Sequence, residues 1–462
     1  NSIDNNGADG SVAVGRSALK ELTSGDANIA IGYEAMKVHT TGGRNIAIGH
    51  NAMDDTDSGS NALGSYDNIF IGYQSGSGTW GDSDRTRGNV AIGNYTMDGA
   101  LNDARYNTAL GHNALSGLTT GDSNVSLGKD SLRDLSSGSS NVAIGLSAGM
   151  QQTTGSGSVN IGHEAGKVDS SSANVIIGHL AFSASNNSNS SSNIIVGYES
   201  GVEINHADST DNVIIGRGAG RGGAGEFTNN IAIGSYALDG TTTNDISGTI
   251  AIGHYALTAV TSGTKNTAVG YQSGDALTVG SSNTLLGYQA GSTMVEDRNC
   301  VAIGREALVN ANAGGSDGAG TDTNNTAVGA FSGDLITTGA GNTLLGSNTE
   351  VSANNASNQL VLGNGATGQA NNSAVIGNAS VTDVYMAQDA NTGTAQTEGA
   401  NVLARSGYFK RVGLDGSLTG GSATSDNPLL TLHGAYNQDV SGSNGHCIKF
   451  IMQHETTNNA KT

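Results

Sequence analysis

Two short strings in this chain have the form of chemical motifs. GLSAG (145–149) fits the nucleophile elbow GxSxG, in which a serine on a sharp strand-to-helix turn is activated by a histidine and an acid. GAGRGG (218–223) fits GxGxxG, whose glycines let the backbone approach a pyrophosphate at a helix N-terminus. Both motifs need a helix, and no amphipathic pattern follows either string. The place of Ser147 is taken by Gln74, Glu164 and Ser235-Tyr236 in equivalent segments elsewhere in the chain, which a catalytic serine would not tolerate. Both strings therefore read as turns, and no reaction or cofactor is expected.

Ring side chains and one tryptophan offer binding chemistry instead. His163 and His179 occupy the same place in consecutive segments, where rings of imidazoles around an axis could hold a metal or an anion. The competing expectation for them is a column of stacked rings with no ligand. GSGTWGDSDRTRG (76–88) places Trp80, the one tryptophan, beside Asp82, Asp84, Arg85 and Arg87. An exposed indole flanked by acids and guanidinium groups suits stacking on a sugar ring and hydrogen-bonding its hydroxyls, which makes these five the receptor-binding candidates. The alternative is a tryptophan folded back onto its own scaffold or buried between chains.

What positions these groups is a clock. A run of the form Asn-(Ile/Val/Thr)-small-(Ile/Val/Leu)-Gly recurs from Gly15 to Gly377, most often 17 residues apart. Such regularity marks a solenoid, in which each repeat is one coil that must stack on its neighbours to bury an apolar face. About 21 coils of ~17 residues at strand spacing make a rod on the order of 100 Å long. Within a run such as NIAIG (28–32), the residues three and one before the glycine share one side of a strand, and the residue between faces the other way. The first side is nearly always Ile, Val, Leu or Thr and is expected to be the interior. The second is mostly Ala but includes Phe70, Ile176, Ile195, Ile214, Leu285, Leu344, Val361 and Val375, too apolar for water and so expected to need a cover. Seventeen residues suit two short strands per coil. Asn stands four residues before the glycine in most coils, placed to form amide ladders between coils, and Cys300 takes that slot as a small buried substitute.

Composition limits the partners. With 71 Gly, one Pro and 4% aromatic residues in 462, no large globular core can form, but a thin core repeated many times can. A net charge of −20 without a basic stripe argues against nucleic acid and against an anionic membrane surface. Cys300 and Cys447 form no disulfide framework. Three long steps, at 54–65, 76–88 and 310–323, place extra residues in outer loops, where solenoids commonly bind.

SVAVG (11–15), NVAIG (89–93 and 141–145) and NTAVG (266–270 and 325–329) resemble the head repeats of trimeric autotransporter adhesins and the similar repeats of bacteriophage tail fibres. The resemblance covers about 80% of the chain, although autotransporter heads mostly repeat at shorter intervals. It implies a left-handed parallel β-roll, three chains packed side by side, and attachment as the role. From about residue 381 the clock stops. VTDVYMAQD (381–389) resembles the junction that follows such repeats in phage tail fibres, while TLHGAY (431–436) and GHCIKFIMQHE (445–455) read as strands of a small β domain. No heptad stalk or anchor barrel is read, which favours the viral fibre.

The expectation is an all-β protein with a β-roll at 1–380 and a C-terminal β domain or junction at 381–462. It forms a side-by-side homotrimer without cofactor, and it acts as a tail fibre on the virion that binds a host-surface receptor, possibly a glycan, with other fibre or tail proteins at its ends. The rivals are a trimeric adhesin head, extracellular or on a bacterial surface, and a glycan-cleaving tail spike. The spike would need an acid pair at fixed places on neighbouring coils, and no such pair is read.

Overall fold

Strand pairing follows the glycine clock. In the computed structural model, residues 9–56, 64–81, 86–184, 190–206, 208–240, 244–312 and 321–382 are described. Each closing glycine is preceded by a three-residue strand, from Val12–Val14 to Ala374–Ile376, and these form one 21-stranded parallel sheet. Register is kept residue for residue: Ile29 pairs with Ile46, Ala30 with Ala47 and Ile31 with Ile48. It survives changes of repeat length, since Ile46 pairs with Ile69 across a long step and Leu360 with Ala374 across a short one. The protein is a parallel β-solenoid with no helix among the described residues. Two compact units divide at Val384, and every described residue belongs to the first. The strands expected at 431–436 and 445–455 lie outside the described residues.

The expected two-strand coil does not form. Away from the main sheet, strand pairing is limited among the described residues to Phe227–Thr228 with Ile246–Ser247, Asp297–Arg298 with Thr321–Asp322, and a few single bridges. The rest of each coil is turn, with side-chain-bearing residues in the left-handed region, such as Leu132 (φ 45°), Ser147 (φ 56°) and Glu164 (φ 54°). That conformation costs about 1–2 kcal/mol per residue. Stacking offsets the cost, because each of these N–H groups donates to a carbonyl of an adjacent coil: Leu132 to Ala148 at 3.0 Å, Ser147 to Lys129 at 2.9 Å and Glu164 to Leu146 at 2.9 Å.

The two strand faces are the reverse of the expectation. The middle residue points inward, and Ala30, Phe70, Ile176, Ile195, Ile214, Leu285, Leu344 and Val361 are all fully buried, with Val375 packed against them. The flanking aliphatic residues point outward, and Val14 and Leu345 are 55% and 53% exposed. The physical reason is thickness. A flattened coil has room for little more than a methyl group from the strand when a large side chain enters from the opposite turn, and dominance of Ala marks the tight side.

Several of the exceptions obey the same volume rule, although the coil of Ile176 carries a buried Phe182 at the opposite place. Strands with central Ala47, Ala91 and Ala109 face Met53, Met97 and Leu115 four residues after their glycines. Strands with central Phe70, Ile214 and Leu285 face Gly76, Gly220 and Gly291 at that place. A Cβ on Gly76 would lie 2.6 Å from the Phe70 ring, and one on Gly291 would lie 2.9 Å from Leu285 Cδ2. The large central residues need no external cover; at Phe70, Ile214 and Leu285 the missing side chain opposite makes their space.

The amide ladder forms as expected. Asn124 Nδ2 donates to Asn107 Oδ1 at 3.0 Å and to the Gly138 carbonyl at 2.9 Å, while Asn124 Oδ1 accepts from the Asn141 backbone N–H at 2.9 Å. Equivalent links run at Asn45, Asn89 and Asn342. Cys300 fills the slot as a buried substitute, its N–H still bonded to Asn283 Oδ1 and its sulfur 2.9 Å from Thr323 Oγ1, and burial pushes its thiol up to about 11. Asn124→Ala leaves the Asn141 N–H and the Gly138 carbonyl without these partners inside the coil. It is expected to cost about 1–3 kcal/mol in denaturant unfolding.

Candidate functional surface

Trp80 is not a surface platform. Its strand neighbour Phe70 has Gly76 opposite, and the indole fills the adjoining interior, only 2% exposed, with ring centroids 5.5 Å apart at 56°. Its Nε1 donates to the Gly76 carbonyl at 3.2 Å. The folded-back alternative thus describes Trp80, and the indole cannot stack on a sugar from this position. Asp82, Asp84 and Arg85 lie outside the described residues, as do the central parts of the other long steps, 57–63 and 313–320. Arg87 is half-buried and lies over the Tyr106 ring, 5.7 Å from its centroid.

The residue after each closing glycine builds columns. His163 stacks on His179 at 4.9 Å and 22°, and His179 on Tyr198 at 5.3 Å and 6°. The Arg217 guanidinium sits between Tyr198 and Tyr236, 5.8 and 5.5 Å from their centroids, and Tyr236 stacks on Tyr255 at 5.4 Å. A further stack of His254, Tyr271 and Tyr288 follows, and an N-terminal column runs Tyr33, His50, Tyr73, Tyr95, His112. Near-parallel imidazoles direct their nitrogen lone pairs side by side rather than toward one point, so His163 and His179 of one chain do not converge on a metal. Among the described residues no three His, Cys, Asp or Glu side chains group as metal ligands. The rings two places after a glycine, such as Tyr95 and Tyr236, escaped the sequence reading because they break the one-position pattern, and Arg217, directly after Gly216, because it is not a ring.

Both motif-like strings are turns. Ser147, at φ 56°, leads into the next coil and not into a helix, and its N–H is held by Lys129. Gly220 and Gly222 back onto Ile214 and Ile204, and Arg221 between them reaches Glu203 at 3.3 Å and Asp239 at 3.7 Å.

One acid pair does form on neighbouring coils, against the sequence reading. Burial, with a hydrogen bond that the protonated Glu350 carboxyl donates to the Asp334 side chain, pushes the Glu350 carboxyl up to about 8, while its Oε2 accepts from the Leu335 N–H at 3.1 Å. A hollow of about 570 Å³ at the C-terminal end of the roll is lined by Thr367, Gln369, Val375 and Asn378 among others, none of them titratable, and does not include this pair.

Burial also raises the Asp54 and Asp98 carboxyls to about 6. The folded chain therefore holds these protons more tightly than the unfolded chain, whose aspartates titrate near ~4. Their contribution to stability is full below about pH 4, falls as pH rises through about 6, and stays lower above it. Asp98→Asn is expected to raise the thermal midpoint at pH 7.5 and to leave it nearly unchanged at pH 4.

The largest coherent feature of the surface is the outer side of the sheet. The residue before each closing glycine is Ile, Leu or Val in every strand, and the residue two places earlier is β-branched in nearly all of them. Exposed members include Val12, Ile31, Ile92, Leu110, Leu127, Ile194, Leu286 and Ile376. In-register pairing arranges them in two rows, one entirely Ile, Leu and Val and the other mostly Val and Ile with threonines such as Thr108, Thr267 and Thr343 among them. Monomeric proteins rarely expose a contiguous apolar patch beyond roughly 300–600 Å². No family model matches the chain, and no curated protein matches it in sequence.

Proposed function

We propose that this chain is a structural, adhesive fibre protein whose copies pack side by side on the aliphatic face of the sheet. The observation that carries this reading is that face: one row of Ile, Val and Leu and a second of mostly Val, Ile and Thr running along the solenoid with no charge among them. The cover that the sequence assigned to the inner row belongs to this outer row. Resemblance to tail-fibre and adhesin-head repeats sets the number of copies at three, the hand of the coil as left, and the role as attachment of a bacteriophage tail fibre to a host surface. A rod with an apolar spine buried among its copies leaves the turns of each coil facing outward, where a receptor would be met.

Native mass by light scattering tests the assembly, and adsorption to host cells tests the role. The full chain is expected at the mass of three copies. Leu127→Lys with Leu286→Lys, both on outward positions, is expected to dissociate it while the far-ultraviolet dichroism of the coil persists. A wild-type monomer with its sheet face open to solvent would remove the basis for the trimer. The adhesin head shares this assembly and differs in requiring a stalk and a membrane anchor. The glycan-cleaving spike is the rival from another class, and it would need two carboxyls about 5–10 Å apart across a bound sugar, whereas Asp334 and Glu350 hydrogen-bond to each other. Release of reducing ends from host polysaccharide would replace attachment with cleavage.

A further inference from the structure

The hydrophobic interior is not continuous. One cluster runs from Ala18 to Ala148 and a second from Ala165 to Ala366. Between them, at 149–164, the buried side chains are polar: Gln152, Ser158 and Asn160. Asn160 stands at the inward centre of its strand, paired with Ala143 on one side and Ile176 on the other. Its Nδ2 donates to Gln152 Oε1 at 3.2 Å, and its Oδ1 is buried without a partner. Gln152 takes the interior place that Leu118 and Leu135 hold two coils and one coil earlier, and Asp169 takes it in the next coil, fully buried and bonded to the Ser171 N–H and Asn174 Nδ2.

Two other stacking systems lack their links across the interface between the coils closed by Gly145 and Gly162. Ser158 replaces the ladder asparagine, so its backbone N–H donates to Asn141 Oδ1 and its hydroxyl oxygen accepts from the Asn174 N–H, with no side-chain amide contact between them. The ring columns end at His112 and resume at His163, with Lys129 and Leu146 in the places between. Thr249 and Cys300 also interrupt the amide ladder, but there the aliphatic core runs through unbroken. Only near Asn160 do core, amide ladder and ring column fail together.

Stability in a solenoid is a sum of repeat terms and nearest-neighbour interface terms. A level where three interface terms weaken at once divides the sum. We infer that 149–164 is a built-in joint at which the solenoid opens first, separating an N-terminal and a C-terminal block that each unfold as a unit. The orphaned Asn160 oxygen sets the direction, since opening hydrates it while closing buries it.

Hydrogen exchange of the full chain, followed by mass spectrometry under rising denaturant, tests this. The coils closed by Gly128 and Gly197, on either side of the joint, are expected to differ by about tenfold or more in opening rate, with the step falling within 149–164. A repaired chain carrying Gln152→Leu, Ser158→Asn and Asn160→Ala restores the residues of neighbouring coils and is expected to bring the two sides within about twofold of each other. Wild-type exchange in one cooperative step, or a step located elsewhere, would overturn the inference whether or not the repaired chain folds. A repaired chain that folds and still opens at 149–164 would overturn it equally.

Discussion

Gly270→Ala is expected to unfold the coils around it at a cost above about 4–5 kcal/mol, in the range reserved for severe backbone or packing lesions. Gly270 has φ 143°, and an alanine Cβ would stand 2.2 Å from the carbonyl oxygen of Gly287 in the next coil and 2.6 Å from its carbon. Both atoms are backbone in a paired strand segment, so neither can move without breaking register. Gly157→Ala is the control. That glycine is also left-handed, at φ 70°, yet nothing lies within 4 Å of the added carbon. It should cost only the conformational term of about 1–2 kcal/mol. Comparing the two by denaturant unfolding separates close approach from backbone conformation as the reason for glycine. Equal effects would mean that conformation alone sets the clock.

The second large effect is the removal of Phe70. Phe70→Ala should cost about 3–5 kcal/mol, because the ring is fully buried against Trp80 and its loss leaves a void that a thin coil cannot close. Gly76→Leu alone should also destabilise, since the new Cβ meets the Phe70 ring at 2.6 Å. The double variant Phe70→Ala with Gly76→Leu recreates the arrangement of the Ala109 and Leu115 coil, where Leu115 takes φ 54°. It is expected to recover more than half of the summed loss, a coupling of about 2 kcal/mol or more. Additive losses would show that volume is not exchanged across the coil. Fluorescence of Trp80, which packs on this ring, reports whether the interior has closed.

The repeat itself was plain in the residues. Closing glycines, buried asparagines and stacked rings each recur at a fixed offset, and translation along a parallel sheet converts a fixed offset into a contact. The direction of the faces was harder because both sides of the strand are apolar, so hydrophobicity could not choose between them. Residue volume could have: a row dominated by Ala, with Phe70 and Leu285 admitted where Gly76 and Gly291 stand later in the coil, is the mark of a confined interior. Left-handed turns at Leu132 or Glu164 carry no signature in residue type, since their conformation is imposed by bonds to neighbouring coils. Trp80 misled for a related reason. Its charged neighbours suggested solvent, while the space that receives it is made by Gly76, four residues earlier.

In-register pairing also makes length a countable property. Steps from 14 to 25 residues all deliver the next strand to the same place on the sheet, as the pairs Leu360 with Ala374 and Val301 with Thr326 illustrate. A coil can therefore be duplicated or deleted by recombination between near-identical segments without disturbing the junctions on either side. Each such event changes the reach by one strand spacing, ~4.8 Å. Descendants of this chain can thus adjust how far a terminal group is held from its base in uniform increments, with little change in stability per unit length.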